Sequence, residues 1–220
     1  AEAGSTHRIE SLAFTVQKIR ATATGTVMAD APMAVSLRAV AQSVEGAAPP
    51  WQAQARVEGT LEQLRVNAAA NTAGRVDASK PAATTAAGLA AAITASTTIE
   101  PFTGWPVKTL EATLRDVDLA SLLDNAPNTN ISGQVHVMAP SKESALLLRA
   151  TLQNASAGRW DERLLPARTV DFEASGSLAQ SDRIDLVRFN IKLHNGGGDI
   201  QGTGQWLREQ LTLAFDVQAL

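Results

Sequence analysis

Apolar and polar side chains alternate with a period of two along most of this chain, and that period belongs to a strand rather than a helix. Leu12, Phe14 and Val16 alternate with Ala13 and Thr15. Val35, Leu37 and Ala39 alternate with Ser36 and Arg38. Leu110, Ala112 and Leu114 alternate with Glu111 and Thr113, and Val135 and Val137 flank His136. Val187, Phe189, Ile191 and Leu193 alternate with Arg188, Asn190 and Lys192. Leu211, Leu213, Phe215 and Val217 alternate with Thr212, Ala214 and Asp216. One face apolar and the other mainly polar is the pattern of an antiparallel sheet wetted on one side.

The runs come in a recurring unit, in which a strand runs up to a glycine, a polar stretch follows and an apolar strand returns. Arg56-Val57-Glu58-Gly59 leads into Leu61 to Ala70, and Ile131-Ser132-Gly133 leads through Pro140 to Glu143 into Leu146 to Leu152. Phe172 to Gly176 leads through Gln180-Ser181-Asp182 into Ile184 to Leu193, and Ile200-Gln201-Gly202 leads through Arg208-Glu209-Gln210 into Leu211 to Val217. Such clusters predict hairpin turns, as does Asn195-Gly196-Gly197-Gly198. The copies share a rhythm more than a motif. In the Ala- and Thr-rich stretch, Leu89, Ala91, Ile93, Ala95, Thr97 and Ile99 fall on one parity, which predicts a strand from Gly88 to Ile99 after a break at Lys80-Pro81. One short helical turn is expected, capped by Asp118 and running through Leu119 to Leu123 before Asn125 and Pro127; a plain loop is the alternative.

Composition narrows the function classes. The 220 residues carry a net charge of -3, with 19% charged and 45% hydrophobic residues. No basic run exists for a nucleic-acid partner to grip. Without cysteine the chain has neither disulfides nor thiolate metal sites. No stretch reaches the roughly 20 apolar residues of a spanning helix. The chain opens on Ala1-Glu2-Ala3-Gly4 and closes at Leu220 inside an apolar strand pattern, so it reads as a segment of a longer protein.

Catalytic motifs are missing. His7, His136 and His194 are far apart and fit no metal-ligand spacing. Asp116, Asp118 and Asp124 lack the oxygen-rich spacing of a calcium loop. Asn195 to Gly198 lacks the lysine and following helix of a phosphate loop, and no serine stands in a nucleophile elbow. Two sequons, at Asn130 and Asn154, matter only in a eukaryotic secretory setting. The apolar stripe is therefore the main feature. On pattern alone an ordinary sandwich core is the commoner outcome; long strands with mostly aliphatic inner faces also suit a groove for alkyl chains. Only 4% of residues are aromatic, none of them tyrosine, and the Cys–Trp–Cys pattern of an immunoglobulin-like domain is lacking.

Three segments carry a family resemblance. Ile99 to Val107, with Leu110 to Ser121 and Ala126 to Gly133 after it, is one; Leu152 to Asp161, followed by Arg163 to Pro166, is another. Both resemble the repeating middle part of the TamB family, the inner-membrane subunits of the translocation and assembly module. Gly198 to Trp206 is similar to that family's recurrent hairpin start. The resemblance covers Ile99 to Leu220; earlier residues agree in rhythm only. It implies a β-taco, a long antiparallel meander curled into a U-shaped trough with a hydrophobic interior and at most one short helix, forming one segment over residues 1–220. It also implies a place in the Gram-negative periplasm, with an inner-membrane anchor outside this sequence and no catalytic residues or cofactor. The expected partners are a TamA-like outer-membrane assembly barrel, reached through the full-length protein, and phospholipid or unfolded outer-membrane protein. The expected roles are outer-membrane protein assembly, autotransporter secretion and phospholipid movement. Parity then nominates Phe14, Val16, Leu37, Leu114, Val137, Leu148, Phe189, Ile191, Leu213 and Phe215 as groove lining. Competing expectations are an edge strand that binds nascent barrel strands, and a plain β-sandwich.

Overall fold

The computed structural model describes residues 6–16, 19–43, 51–71, 92–103, 105–122, 125–139, 145–177, 180–207 and 210–218. The leading half of the strand expected from Gly88, with Leu89 and Ala91, lies outside them, as does the Lys80-Pro81 break. The described residues are all β: thirteen antiparallel strands whose order in the sheet is their order along the chain. Among the described residues the first and last strands each pair with one neighbour, so the sheet is open.

Contacts divide the chain into two compact units, Ala1–Val107 and Lys108–Leu220. The first holds β1 (Thr6–Val16), β2 (Ile19–Met28), β3 (Ala34–Ser43), β4 (Gln52–Thr60), β5 (Leu64–Asn71) and β6 (Ala92–Ile99). The second holds β7 (Val107–Val117, whose first residue closes the first unit), β8 (Ile131–Met138), β9 (Ala145–Asn154), β10 (Ala167–Ser177), β11 (Gln180–Leu193), β12 (Asp199–Leu207) and β13 (Gln210–Gln218). β11 starts at Gln180, so the turn expected over Gln180 to Asp182 belongs to a longer strand. The expected helical turn is a 3-10 turn, Leu119–Ser121, with the Asp118 carboxylate accepting from the Ala120 N–H. Two further 3-10 turns, Trp160–Glu162 and His194–Gly196, were not foreseen; the latter makes the β11–β12 connection expected at Asn195 to Gly198.

Register shifts fall in several strands, among them β1 between Ile9 and Leu12, β7 between Leu114 and Val117, β11 between Leu186 and Phe189, and β10 between Ala167 and Thr169. Extra residues at such bulges let the sheet bend. Opposite the first two stand Gly25 and Gly133, each at φ 155° inside a strand. A Cβ at Gly133 would lie 2.1 Å from the Thr151 carbonyl oxygen, and at Gly25 2.1 Å from that of Ser36. Only glycine allows that approach. The sequence marks Gly133 and Gly202 as strand ends; the structure places both inside strands, because the glycines accommodate bulges rather than turns.

Candidate apolar groove

Residues directly opposite in an antiparallel ladder share a face, so the registers fix which side chains line each side. In the first unit one row reads Phe14, Ala21, Ala41, Ala53, Ala70 and Ile93, and the next reads Leu12, Ala23, Ala39, Ala55, Ala68 and Ala95. A third reads Ile9, Gly25, Leu37, Val57, Val66 and Thr97. The opposite face carries rows such as Thr24, Arg38, Arg56, Asn67 and Ser96.

The second unit repeats the arrangement with larger side chains. One row runs Leu110, Val137, Leu148, Ala174, Leu186, Gly204 and Leu213. A second runs Ala112, Val135, Ala150, Phe172, Phe189, Gly202 and Phe215. A third runs Leu114, Gly133, Leu152, Val170, Ile191, Ile200 and Val217. A Cβ on Gly202 would come within 2.8 Å of the Phe189 ring, so that ring lies across the glycine. This is the device by which an aromatic shields a strand glycine.

The nominated residues therefore fall on the apolar side of their own unit: Phe14 and Leu37 in the first, Leu114, Val137, Leu148, Phe189, Ile191, Leu213 and Phe215 in the second. Val16 pairs with Ile19 through its backbone, and its side chain lies outside the described residues. Phe172 was missed, although Val170, Phe172 and Ala174 alternate with Asp171 and Glu173. Val187 was expected on the Phe189 parity, but the β11 bulge shifts it off that row and leaves it 49% exposed, and Leu186 takes the apolar position.

These side chains are mostly half-buried; fully buried apolar residues, such as Val117 and Ala174, are few among those described. Two packed sheets would bury such rows fully. Within each unit the pattern fits a single layer whose apolar side no second sheet covers among the described residues. At the β13 edge Leu211, Leu213, Phe215 and Val217 are all exposed. The face is not bare everywhere. Leu146 and Ile184 close over Gly176, and Val117 and Ile131, at the strand ends beside the long connections, are buried.

The polar side holds most of the charges, while Lys108 is buried on the Leu110 parity of β7. Glu173 of β10 takes Arg149 of β9 at 3.0 Å and Arg188 of β11 at 3.4 Å, directly across both ladders. Asp185 accepts from Gln205 Nε2 at 2.8 Å and from Arg183, and these bonds, the glutamine's foremost, hold its carboxyl below the ordinary aspartate range. His136 is exposed on this side beside Gln134. Asp118 caps a turn and the Asp116 N–H donates to Ser132 Oγ; Asp124 lies outside the described residues. The Asn154 amide is buried and fully engaged with backbone groups. No group of three His, Cys, Asp or Glu is placed to hold a metal ion among the described residues. Comparison with protein-family models, with curated proteins and with solved structures yields no match to this chain.

Proposed function

We propose that the protein is a non-enzymatic periplasmic scaffold of the TamB type, serving Gram-negative outer-membrane biogenesis. Its apolar face guides phospholipid acyl chains and assists outer-membrane protein and autotransporter assembly. In the full-length protein the partner is a TamA-like outer-membrane barrel. The observation that carries this reading is the set of continuous apolar rows within each unit, half-covered by their own sheet and by no second sheet among the described residues. An alkyl chain needs no polar contact there; each methylene taken from water contributes about 0.8 kcal/mol when fully buried, and less on a one-sided face.

The test is native mass spectrometry and lipid extraction of the purified chain, with Leu213→Asp as the variant. Co-purifying phospholipid is expected from the wild type. Leu213 is already 43% exposed, so the variant should keep its fold while its crosslinking to a photoactivatable phospholipid falls several-fold. Unchanged crosslinking with a large loss of stability would instead favour a plain structural core. A second reading rests on β13, which among the described residues pairs with β12 alone and is exposed along its length. An edge of that kind accepts an added strand. Crosslinks from β13 to unfolded outer-membrane protein, without bound lipid, would favour that reading.

A further inference from the structure

The described parts of the connections at one end of the second unit's strands, residues 118–122, 125–130, 155–166 and 194–198, knit together across the strand ends. The Asn128 N–H donates to the Arg163 carbonyl at 2.8 Å, and Asn128 forms an isolated parallel bridge with Leu164. The Ala155 N–H donates to the Asn130 carbonyl at 2.9 Å, and the His194 N–H to that of Pro166 at 2.9 Å. Beside this strap, on the apolar parity, Val117 and Ile131 are 2% and 9% exposed.

One side chain joins the pieces. Asn154 ends β9 on the apolar parity and is 6% exposed. Its Oδ1 accepts from the Asn130 N–H at 2.9 Å and the Ser156 N–H at 3.2 Å. Its Nδ2 donates to the carbonyls of Ala167 at 3.1 Å and Leu165 at 3.4 Å. One amide thus meets both long connections and the start of the next strand. Removing it takes a partner from two N–H groups and from the Ala167 carbonyl, and leaves the Leu165 carbonyl with the Gly158 N–H, in a part-buried place; local opening of the strap is the way they regain water.

We infer that this strap is the boundary of the acyl-binding face in the second unit, and that Asn154 is the pin that holds it shut. The strap reserves the Val117–Ile131 end for the chain's own loops, and alkyl chains lie on the β11–β13 rows, where Leu213 and Phe215 stand exposed. The inference rests on the acyl-binding reading above and adds to it a defined edge and the residue that sets it.

The experiment incubates the full chain with phosphatidylcholine vesicles containing a phospholipid that bears a diazirine near the end of one acyl chain. Labelled residues are mapped by mass spectrometry, and backbone hydrogen exchange is followed in parallel. In the wild type, label is expected on β11 to β13, at Ile191, Leu213 and Phe215, and at Val117 or Ile131 at no more than a tenth of that yield. In Asn154→Ala, the amides of Asn130, Ser156 and Gly158 should exchange at least tenfold faster, and label should appear at Val117 and Ile131. Asn154→Asp keeps both accepted bonds and loses the two donated ones. It should give an intermediate result, and it substitutes if the alanine variant fails to fold. Wild-type label at Ile131 equal to that at Leu213 overturns the boundary. Faster strap exchange with label still confined to β11–β13 overturns the pin's role in setting it. A chain labelled nowhere refutes the acyl-binding reading and the boundary with it, while the exchange data still report on the pin.

Discussion

Thr129 shows how much one hydroxyl does in a chain with little closed core. It is 6% exposed; its Oγ1 accepts from the Leu119 N–H at 2.8 Å and donates to the Val117 carbonyl at 3.1 Å. Thr129→Val keeps the shape and removes both bonds, so two buried backbone groups lose a partner. A loss of about 1–3 kcal/mol is expected, read as a lower urea midpoint with an unchanged slope. Asp185 supplies the pH-dependent counterpart. Its carboxyl is held below the ordinary value near 3.8 by Gln205 and then Arg183. A depressed folded-state value stabilises above the unfolded value, and that contribution is lost as pH falls through the folded one. Unfolding curves of the wild type and Asp185→Asn should therefore differ near neutral pH, and the gap should close as pH falls past the ordinary aspartate value of 3.8. A constant gap across that window would exclude Asp185 as the source.

Individual strands are decided by parity, and the two sides answer differently to substitution. Arg149 and Arg188 flank Glu173 with their side chains largely exposed. Replacing both by alanine should lower stability by less than about 1 kcal/mol, measured by denaturant titration, because exposed pairs are screened by water and salt. Parity was readable from the sequence because each inward row is almost wholly apolar, and the strands and nine of the nominated positions followed from it. The bulges were not readable. Nothing in the composition of Val187-Arg188 says that an extra residue sits there, yet it moves Val187 off the Phe189 parity and brings in Leu186. Gly133 and Gly202 misled for a related reason: glycine serves a turn and a crowded strand position alike, and only the neighbouring strand distinguishes them. The strap was beyond local pattern, since Asn154 joins segments that meet only after folding.

At the scale of the whole molecule, both units offer a mainly apolar face and keep most of their charge on the other side, the buried Lys108 on the Leu110 parity of β7 excepted. Binding on such a face should follow chain length more than headgroup. Across a series of lysophospholipids of one headgroup, each added methylene should tighten binding by up to about fourfold, the limit set by about 0.8 kcal/mol per methylene. Raising salt from about 0.05 to 0.5 M should change affinity by less than about twofold, since screening acts on charges. Calorimetry or fluorescence titration reads both, and a steep salt dependence with no chain-length dependence would contradict the acyl-binding proposal. The sequential strand order has a consequence of its own for how such a protein changes in length. A hairpin carries the chain out and back, so inserting or deleting one leaves the direction and sidedness of everything downstream as they were. A single added strand would reverse every strand that follows. Growth by pairs needs no redesigned interior, because each strand answers mainly to its two flanking neighbours, as in stacked repeat arrays.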